Sequence, residues 1–210
     1  MGVNGSDDAR SGTGVPVEID ALASDGRGVG RADGLVWFVE GGMPGDRVIA
    51  RAIRRRPRFV EAEVESRQRD GPARRKPPCP LQGTCGGCPW MVLDEAAQRA
   101  WKRTVVQDAI ARIAGVKKPP VADPAASPVG LGYRNKVEFS LGAGPSGRPA
   151  AGLRAVGGVA VVDVERCLMQ SEPAGRVWTA ARAILTDGDT FSAWWERREP
   201  LRIVVRSSSV

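Results

Sequence analysis

The sequence predicts a mainly β protein with some helix (α+β): a small N-terminal β-barrel of the OB type, then a central domain mixing strands and helices. Three observations carry this. Short apolar runs with glycine and proline turns between them recur about every ten residues from 15 to 67, the spacing of a small barrel. A stretch rich in proline, arginine and lysine follows at 68–78. Beyond it, runs with helical periodicity alternate with further strand-like runs. The chain has 210 residues, 42% apolar and 26% charged, enough for one large domain or two small ones.

The elements read as follows. Residues 1–14 are rich in Gly, Ser and Asp without an apolar core, and are expected to be a disordered tail. Val15 to Ile19 is a first strand and Asp25 to Gly30 a glycine-rich turn. That turn is no dinucleotide fingerprint, because the spacing is wrong and no helix with an apolar stripe follows it. Leu35 to Val39, Arg47 to Ile53 and Phe59 to Val64 complete a four-stranded barrel over 15–67, the last strand with clear alternation. After the basic linker at 68–78, a central domain spans 79–210. Asp94 is a plausible N-cap, and Ala97, Trp101, Val105, Ala109 and Ile113 give the next helix a buried stripe that Gly115 ends. Tyr133 to Leu141 reads as a strand with Tyr133, Asn135, Val137, Phe139 and Leu141 on one face. Strands at 151–156 and 159–164 follow. A helix from Pro173 to Leu185 points Val177, Ala181 and Ile184/Leu185 inward and stops at Gly188. Leu201 to Arg206 is a last strand, either paired at the edge of the preceding sheet or the start of something longer.

Composition excludes several functions. There are no histidines, so His-based acid–base catalysis, His triads and His-containing zinc sites are ruled out for this chain. No apolar run is long enough to span a bilayer and no export signal is apparent. Met1 to Ser6 fits a loose myristoylation pattern, but stable anchoring needs a second signal. The expectation is a cytoplasmic protein with no membrane partner. The net charge of +7 favours a polyanionic partner.

Four cysteines form a pattern: Cys79-x5-Cys85-Gly-Gly-Cys88, then Cys167 far downstream. Two disulfides are disfavoured without export. Structural zinc usually uses two C-x2-C pairs, and only Cys85 and Cys88 form one. Three close cysteines with a distant fourth is the pattern that holds an iron–sulfur cubane. A cubane is wider than an ion, the x5 arm spreads the thiolates, and Gly86-Gly87 removes side chains where backbone wraps the inorganic core and offers N–H groups to the sulfides. These rules favour a [4Fe–4S] cluster on Cys79, Cys85, Cys88 and Cys167 and leave zinc open. A nucleophilic role for Cys167 lacks a neighbouring base.

The charge is concentrated. Arg51 to Lys76 contains ten Arg/Lys and four acidic residues. Arg54, Arg55, Arg56 and Arg58 sit at a turn, and Arg74, Arg75 and Lys76 just before the first cysteine. Guanidinium groups fork onto phosphates, and a basic run beside an OB-type barrel points to RNA. Arg134, Asn135 and Lys136, at the start of a strand, are further candidates for RNA contact. Trp194-Trp195 could stack on bases, although such pairs more often fill a core.

In combination these residues resemble a family: the N-terminal half of the S-adenosylmethionine-dependent RNA uracil-5-methyltransferases that carry a TRAM domain and an iron–sulfur cluster. The matching motifs, in order, are Gly28-Val29-Gly30, Met43-Pro44-Gly45-Asp46, the Cys79–Cys88 signature, Gln98 and Lys102, Tyr133 to Phe139, and Val162 to Ser171. One departure is Met91, where the family usually has glutamine. The resemblance implies that the barrel is a TRAM domain, that the four cysteines hold the cluster, and that the partner is rRNA or tRNA. In the family a Rossmann-like domain follows. It holds the S-adenosylmethionine loop, the nucleophilic cysteine and the carboxylate base, and none of these has a counterpart here. The expectation is a truncated chain without the catalytic domain, with methyl transfer and S-adenosylmethionine binding requiring a separate methyltransferase domain or chain. The alternative is a stand-alone RNA-binding module with a structural cluster or zinc and no catalysis.

Overall fold

A computed structural model describes residues 13–144, 146, 148–158, 160–197 and 201–208. Apart from Thr13 and Gly14, the expected tail lies outside them. Close contacts divide the chain into two units. The first comprises residues up to Pro78 together with 89–126, and the second comprises 79–88 together with residues from Ser127 on. This grouping differs from the division at residue 79 expected from sequence: residues 89–126 fall with the barrel, against which Trp90, Leu93, Ala97 and Trp101 pack.

The first unit is a closed barrel of β1 (Val15–Leu22), β2 (Gly28–Ala32), β3 (Leu35–Glu40), β4 (Arg47–Arg55) and β5 (Phe59–Arg69), in the order β1-β2-β3-β5-β4. All neighbours are antiparallel except β3 and β5, and β4 returns to pair with β1. Alternation fills the interior with Val17, Ile19, Trp37, Val39, Val48, Ala50, Val60 and Ala62. Two expectations need correction. The barrel has five strands, since Gly28-Val29-Gly30 is not a turn but part of β2. Glycine is required there by contact: a Cβ on Gly30 would collide with the Glu18 carbonyl oxygen of β1. The last barrel strand also runs to Arg69, past the expected end at Val64.

Residues after β5 are fastened to the barrel rather than free. Arg75 N–H donates to the Val92 carbonyl (2.7 Å), and Asp94 N–H to that of Ala73 (2.9 Å). Leu93 joins Leu22 and Met43 in a second apolar cluster, against which Trp90, Ala97 and Trp101 pack. The buried Asp46 carboxylate collects Met43 N–H (2.9 Å), Gly71 N–H (2.8 Å) and both edges of the Arg74 guanidinium (3.0 and 2.6 Å). Helix α1 (Glu95–Ala114) begins at Asp94, whose side chain accepts from Ala97 N–H, and ends at Gly115 in the left-handed conformation, as its caps predict. Its expected buried stripe is only partly realised. No residue of α1 is fully buried and Ile113 is 81% exposed, because the helix touches the cluster only through its first turns.

The second unit contains an antiparallel sheet in the order β8-β7-β6-β9, built from β6 (Lys136–Ala143), β7 (Pro149–Arg154), β8 (Val161–Asp163) and β9 (Leu201–Arg206). The last strand therefore pairs at the sheet edge, against β6. One face carries Val137, Phe139, Leu141, Ala151, Val162 and Val205, which form a core with Ala174, Trp178 and Phe191 from the helices α2 (Glu172–Leu185) and α3 (Gly188–Arg197). Phe139 and Trp178 stack with ring centroids 3.6 Å apart, and Trp178 Nε1 donates to the Val164 carbonyl (2.8 Å). Three expectations change here. Gly188 opens α3 instead of stopping the chain's last helix. The inward face of α2 is Ala174 and Trp178, whereas Val177 and Ile184 are exposed. The strand starts at Lys136, so Tyr133 and Asn135 are exposed and off the core face. Among the described residues, no helix is long and apolar enough to cross a membrane.

Candidate metal centre and nucleic-acid interface

All four cysteines fall in the second unit, although Cys79–Cys88 precedes the rest of that unit by some forty residues of chain. The loop is shaped by its own backbone. Gln82 N–H donates to the Cys79 carbonyl (3.2 Å), and Thr84 and Cys85 N–H both donate to that of Leu81 (3.1 and 2.8 Å). It then docks on the end of β7: Gly86 N–H donates to the Arg154 carbonyl (2.9 Å), and Val156 N–H to that of Thr84 (2.9 Å). Leu81 and Cys85 pack against the sheet core, as does Cys167 from the loop after β8.

The two glycines of the loop serve different ends. A Cβ on Gly86 would press the Ala155 carbonyl oxygen at 3.2 Å, so this glycine is needed for the approach to β7, and its N–H is already used there. That corrects the expectation that both N–H groups face an inorganic core. Gly87 N–H does point at sulfur, donating to Cys85 Sγ at 3.4 Å.

Each of the four thiols is half-buried and outside any disulfide. Burial pushes the Cys85 thiol up, and the N–H of Gly87 opposes it. Cys167 and Cys79 add to the rise, and Arg134 again lowers it. Burial likewise pushes Cys88 up, with Arg134 opposing and Cys167, Cys85 and Cys79 adding. The quartet is thus one electrostatic group with Arg134 beside it. The rise at Cys85 and Cys88 favours their neutral thiols in a partly dry site. Among the described residues, no three Cys, His, Asp or Glu side chains are drawn together as a single metal ion requires. As sulfur donors the four suit zinc and an iron–sulfur cluster alike.

Arg134 is held between two segments. Its N–H donates to the Met169 carbonyl (2.8 Å), and its carbonyl accepts from Ser171 N–H (2.8 Å). Lys136 and Asn135 are exposed at the adjoining strand start. In the first unit the basic residues separate into groups. Arg54 lies 3.6 Å from Glu61, and Arg55 lies 3.9 Å from Asp33 with its guanidinium 5.8 Å from the Trp37 ring centroid. Arg56, Arg58 and Lys76 are exposed. Arg75 donates through Nε to the Met91 carbonyl (3.2 Å). Arg74 departs from the expected set: its guanidinium is committed to buried Asp46 and to the Gly41 carbonyl (3.0 Å), so it is a structural clasp. Trp194 meets Phe191 edge-on at 5.4 Å, which is core packing; the Trp195 side chain lies outside the described residues.

Comparison with known proteins adds to this. Residues 9–64 match the TRAM domain. The chain is 40% identical over 174 residues to a protein of Nitratidesulfovibrio vulgaris named an uncharacterized RNA methyltransferase, covering 83% of this chain and 37% of that one. It is 33% identical over 170 residues to the 23S rRNA (uracil(1939)-C(5))-methyltransferase RlmD of Pseudomonas aeruginosa, covering 80% of this chain and 38% of that one. The chain thus spans less than two fifths of the length of these relatives. In fold it is similar to the crystal structure of Pyrococcus abyssi tRNA (uracil-54, C5)-methyltransferase in complex with S-adenosyl-L-homocysteine. The TM-score is 0.59 at 20% identity, over 91% of this chain and 42% of that one.

Proposed function

We propose that this chain, a TRAM-domain member of the RNA methyltransferase family, is the RNA-binding, [4Fe–4S]-holding part of an RNA uracil-C5 methyltransferase that acts on rRNA or tRNA. The observation that carries the reading is the cysteine quartet: four half-buried thiols, from a loop and a segment far apart in sequence, that fall in one unit, with Cys85 and Cys167 packed against the same sheet core.

In this reading Cys79, Cys85, Cys88 and Cys167 hold the cluster, which supplies a rigid cross-link between the 79–88 loop and the segment after β8. Gly87 N–H stabilises the Cys85 sulfur, and Arg134 offsets negative charge at Cys88 and Cys85. RNA is engaged by cations, Arg54, Arg55, Arg56, Arg58, Arg75 and Lys76 in the first unit and Arg134 and Lys136 in the second, with the neutral Asn135 amide as a further contact. Phosphate contacts of this kind supply affinity and position the strand without reading its sequence. No residue of this chain is assigned a part in methyl transfer, and S-adenosylmethionine is assigned to a methyltransferase domain acting with it.

The test is metal and acid-labile sulfide analysis after anaerobic purification, paired with RNA binding across a salt series. The expected result is about four iron and four sulfide per chain, lost in Cys167→Ser, and RNA affinity that falls steeply with salt. Zinc without sulfide would remove the cluster; affinity indifferent to salt would remove the RNA reading.

A further inference from the structure

We propose that the exposed Lys136–Arg206 end of the β6–β9 strand pair, on the face away from the core, is a phosphate-binding surface for single-stranded RNA, with Lys136 and Arg206 as its paired cations. The inference rests on the RNA-binding reading above and extends it to β9, a strand with no role in that reading.

The antiparallel register sets Lys136 directly opposite Arg206. The next pair, Val137 and Val205, is buried in the core, so by alternation Lys136 and Arg206 stand on the opposite, solvent face, where both are exposed. Directly opposed residues have Cβ atoms about 5 Å apart, and like charges there destabilise the pair. Further along the face the protein avoids this cost: Arg202 donates to Glu138 Oε1 at 2.9 Å. No such acid is recorded for Lys136 or Arg206 among the described residues.

The pair is also not a frayed end. Ser207 N–H donates to the Asn135 carbonyl (2.8 Å), and the Ser207 and Ser171 hydroxyls lie 2.8 Å apart, which holds the register beyond the last paired residues. Two cations held side by side on a fixed scaffold suit two consecutive phosphates of one strand, one to each cation. The neighbours extend the surface in the same sense. Val204, 51% exposed, lies on this face next to Arg206. Tyr133, 52% exposed, lies three residues before Lys136. A cation pair with an exposed apolar group beside it suits a surface that tracks the backbone of a single strand.

The experiment titrates the 210-residue chain with a labelled single-stranded RNA oligonucleotide across a salt series, by fluorescence anisotropy. Each lost phosphate contact on a single strand flattens the dependence of log K on log salt by about 0.7. Arg206→Gln and Lys136→Gln are each expected to flatten the slope by that amount, the double variant by about twice as much. Arg206→Lys should keep the slope, and Arg202→Gln should leave it unchanged. Because the opposed cations repel, Arg206→Gln is expected to melt no lower than the parent, which separates loss of a contact from loss of structure. Salt-dependent binding by the parent with an unchanged slope in Arg206→Gln would overturn this surface alone and point to an acidic protein partner. A parent without salt-dependent RNA binding would overturn both readings.

Discussion

Removing the Asp46 carboxylate is the most severe single test of how the first unit holds together. Asp46 is 1% exposed and accepts four hydrogen bonds of 3.0 Å or less, two from backbone N–H groups and two from Arg74, with Arg67 Nε a further 3.4 Å away. Asp46→Ala leaves the largely buried Arg74 guanidinium and the N–H groups of Met43 and Gly71 without their acceptor. Breaking a buried ion pair by deleting one partner costs about 3–5 kcal/mol, and the orphaned N–H groups keep the loss in the upper part of that range. For a unit of this size the melting temperature should fall on the order of 20 °C. Asp46→Asn should lose nearly as much, since it turns one acceptor oxygen into a donor facing other donors. The assay is thermal and urea unfolding followed by circular dichroism, with Arg74→Ala and the double variant completing a cycle. The double variant should cost less than the sum of the singles, because each single already breaks the shared contact.

The acid limb gives a second readout of the same clasp. Burial pushes the Asp46 carboxyl up, but Arg74 and the two backbone N–H donors outweigh it and hold the group below its ordinary value of 3.8. A carboxyl depressed in the folded state contributes stability that is complete above the unfolded value and is lost as pH falls through the folded one. The parent should therefore lose stability below about pH 4, in a limb that Asp46→Asn lacks. A loss under about 1 kcal/mol in Asp46→Ala, or additive single variants, would refute the clasp.

Trp178→Ala should destabilise the second unit by about 3–5 kcal/mol, because it empties the stack on Phe139 and orphans the Val164 carbonyl; retained near-ultraviolet dichroism and an unchanged unfolding midpoint would contradict this. Gly30→Ala should lower barrel stability by about 1–3 kcal/mol by driving a methyl into the Glu18 carbonyl, whereas Gly175→Ala, in α2 with open space around it, should raise stability by about 0.5–1 kcal/mol; equal melting shifts in the two variants would sink the steric argument.

Alternation made most of the barrel and the β6 core legible in the sequence, since Val17, Ile19, Val48, Val60, Val137 and Phe139 all sit on the buried side of their strands. Cysteine spacing singled out Cys79, Cys85, Cys88 and Cys167, and all four fall in the second unit. Other features were hidden for identifiable reasons. The strand β2 was obscured because its glycines, demanded by contact with β1 and with Gly42, look like turn residues. The Asp46 clasp could not be read locally, because Gly71 and Arg74 lie 25 and 28 residues away. In α2, Trp178 rather than Val177 faces the core, and a shift of one position along a helix is about 100° of rotation that composition cannot choose. The opposition of Lys136 and Arg206 depends on strand register across 70 residues of chain, for which β9 alone carries no signal.

The interleaving of the two units has a consequence in time. The chain contributes residues 79–88 to the second unit, returns to the first for 89–126, and only then makes the rest of the second. On a ribosome adding about 5–20 residues per second, the first three thiols exist for several seconds before Arg154, whose carbonyl seats their loop, and longer still before Cys167. The barrel can close early. The cysteine loop cannot, because the backbone that seats it, at Arg154 and Val156, has not yet been made. Completion of the quartet is thus a late step of biosynthesis, set by the position of Cys167 in the chain and not by the folding speed of the loop itself.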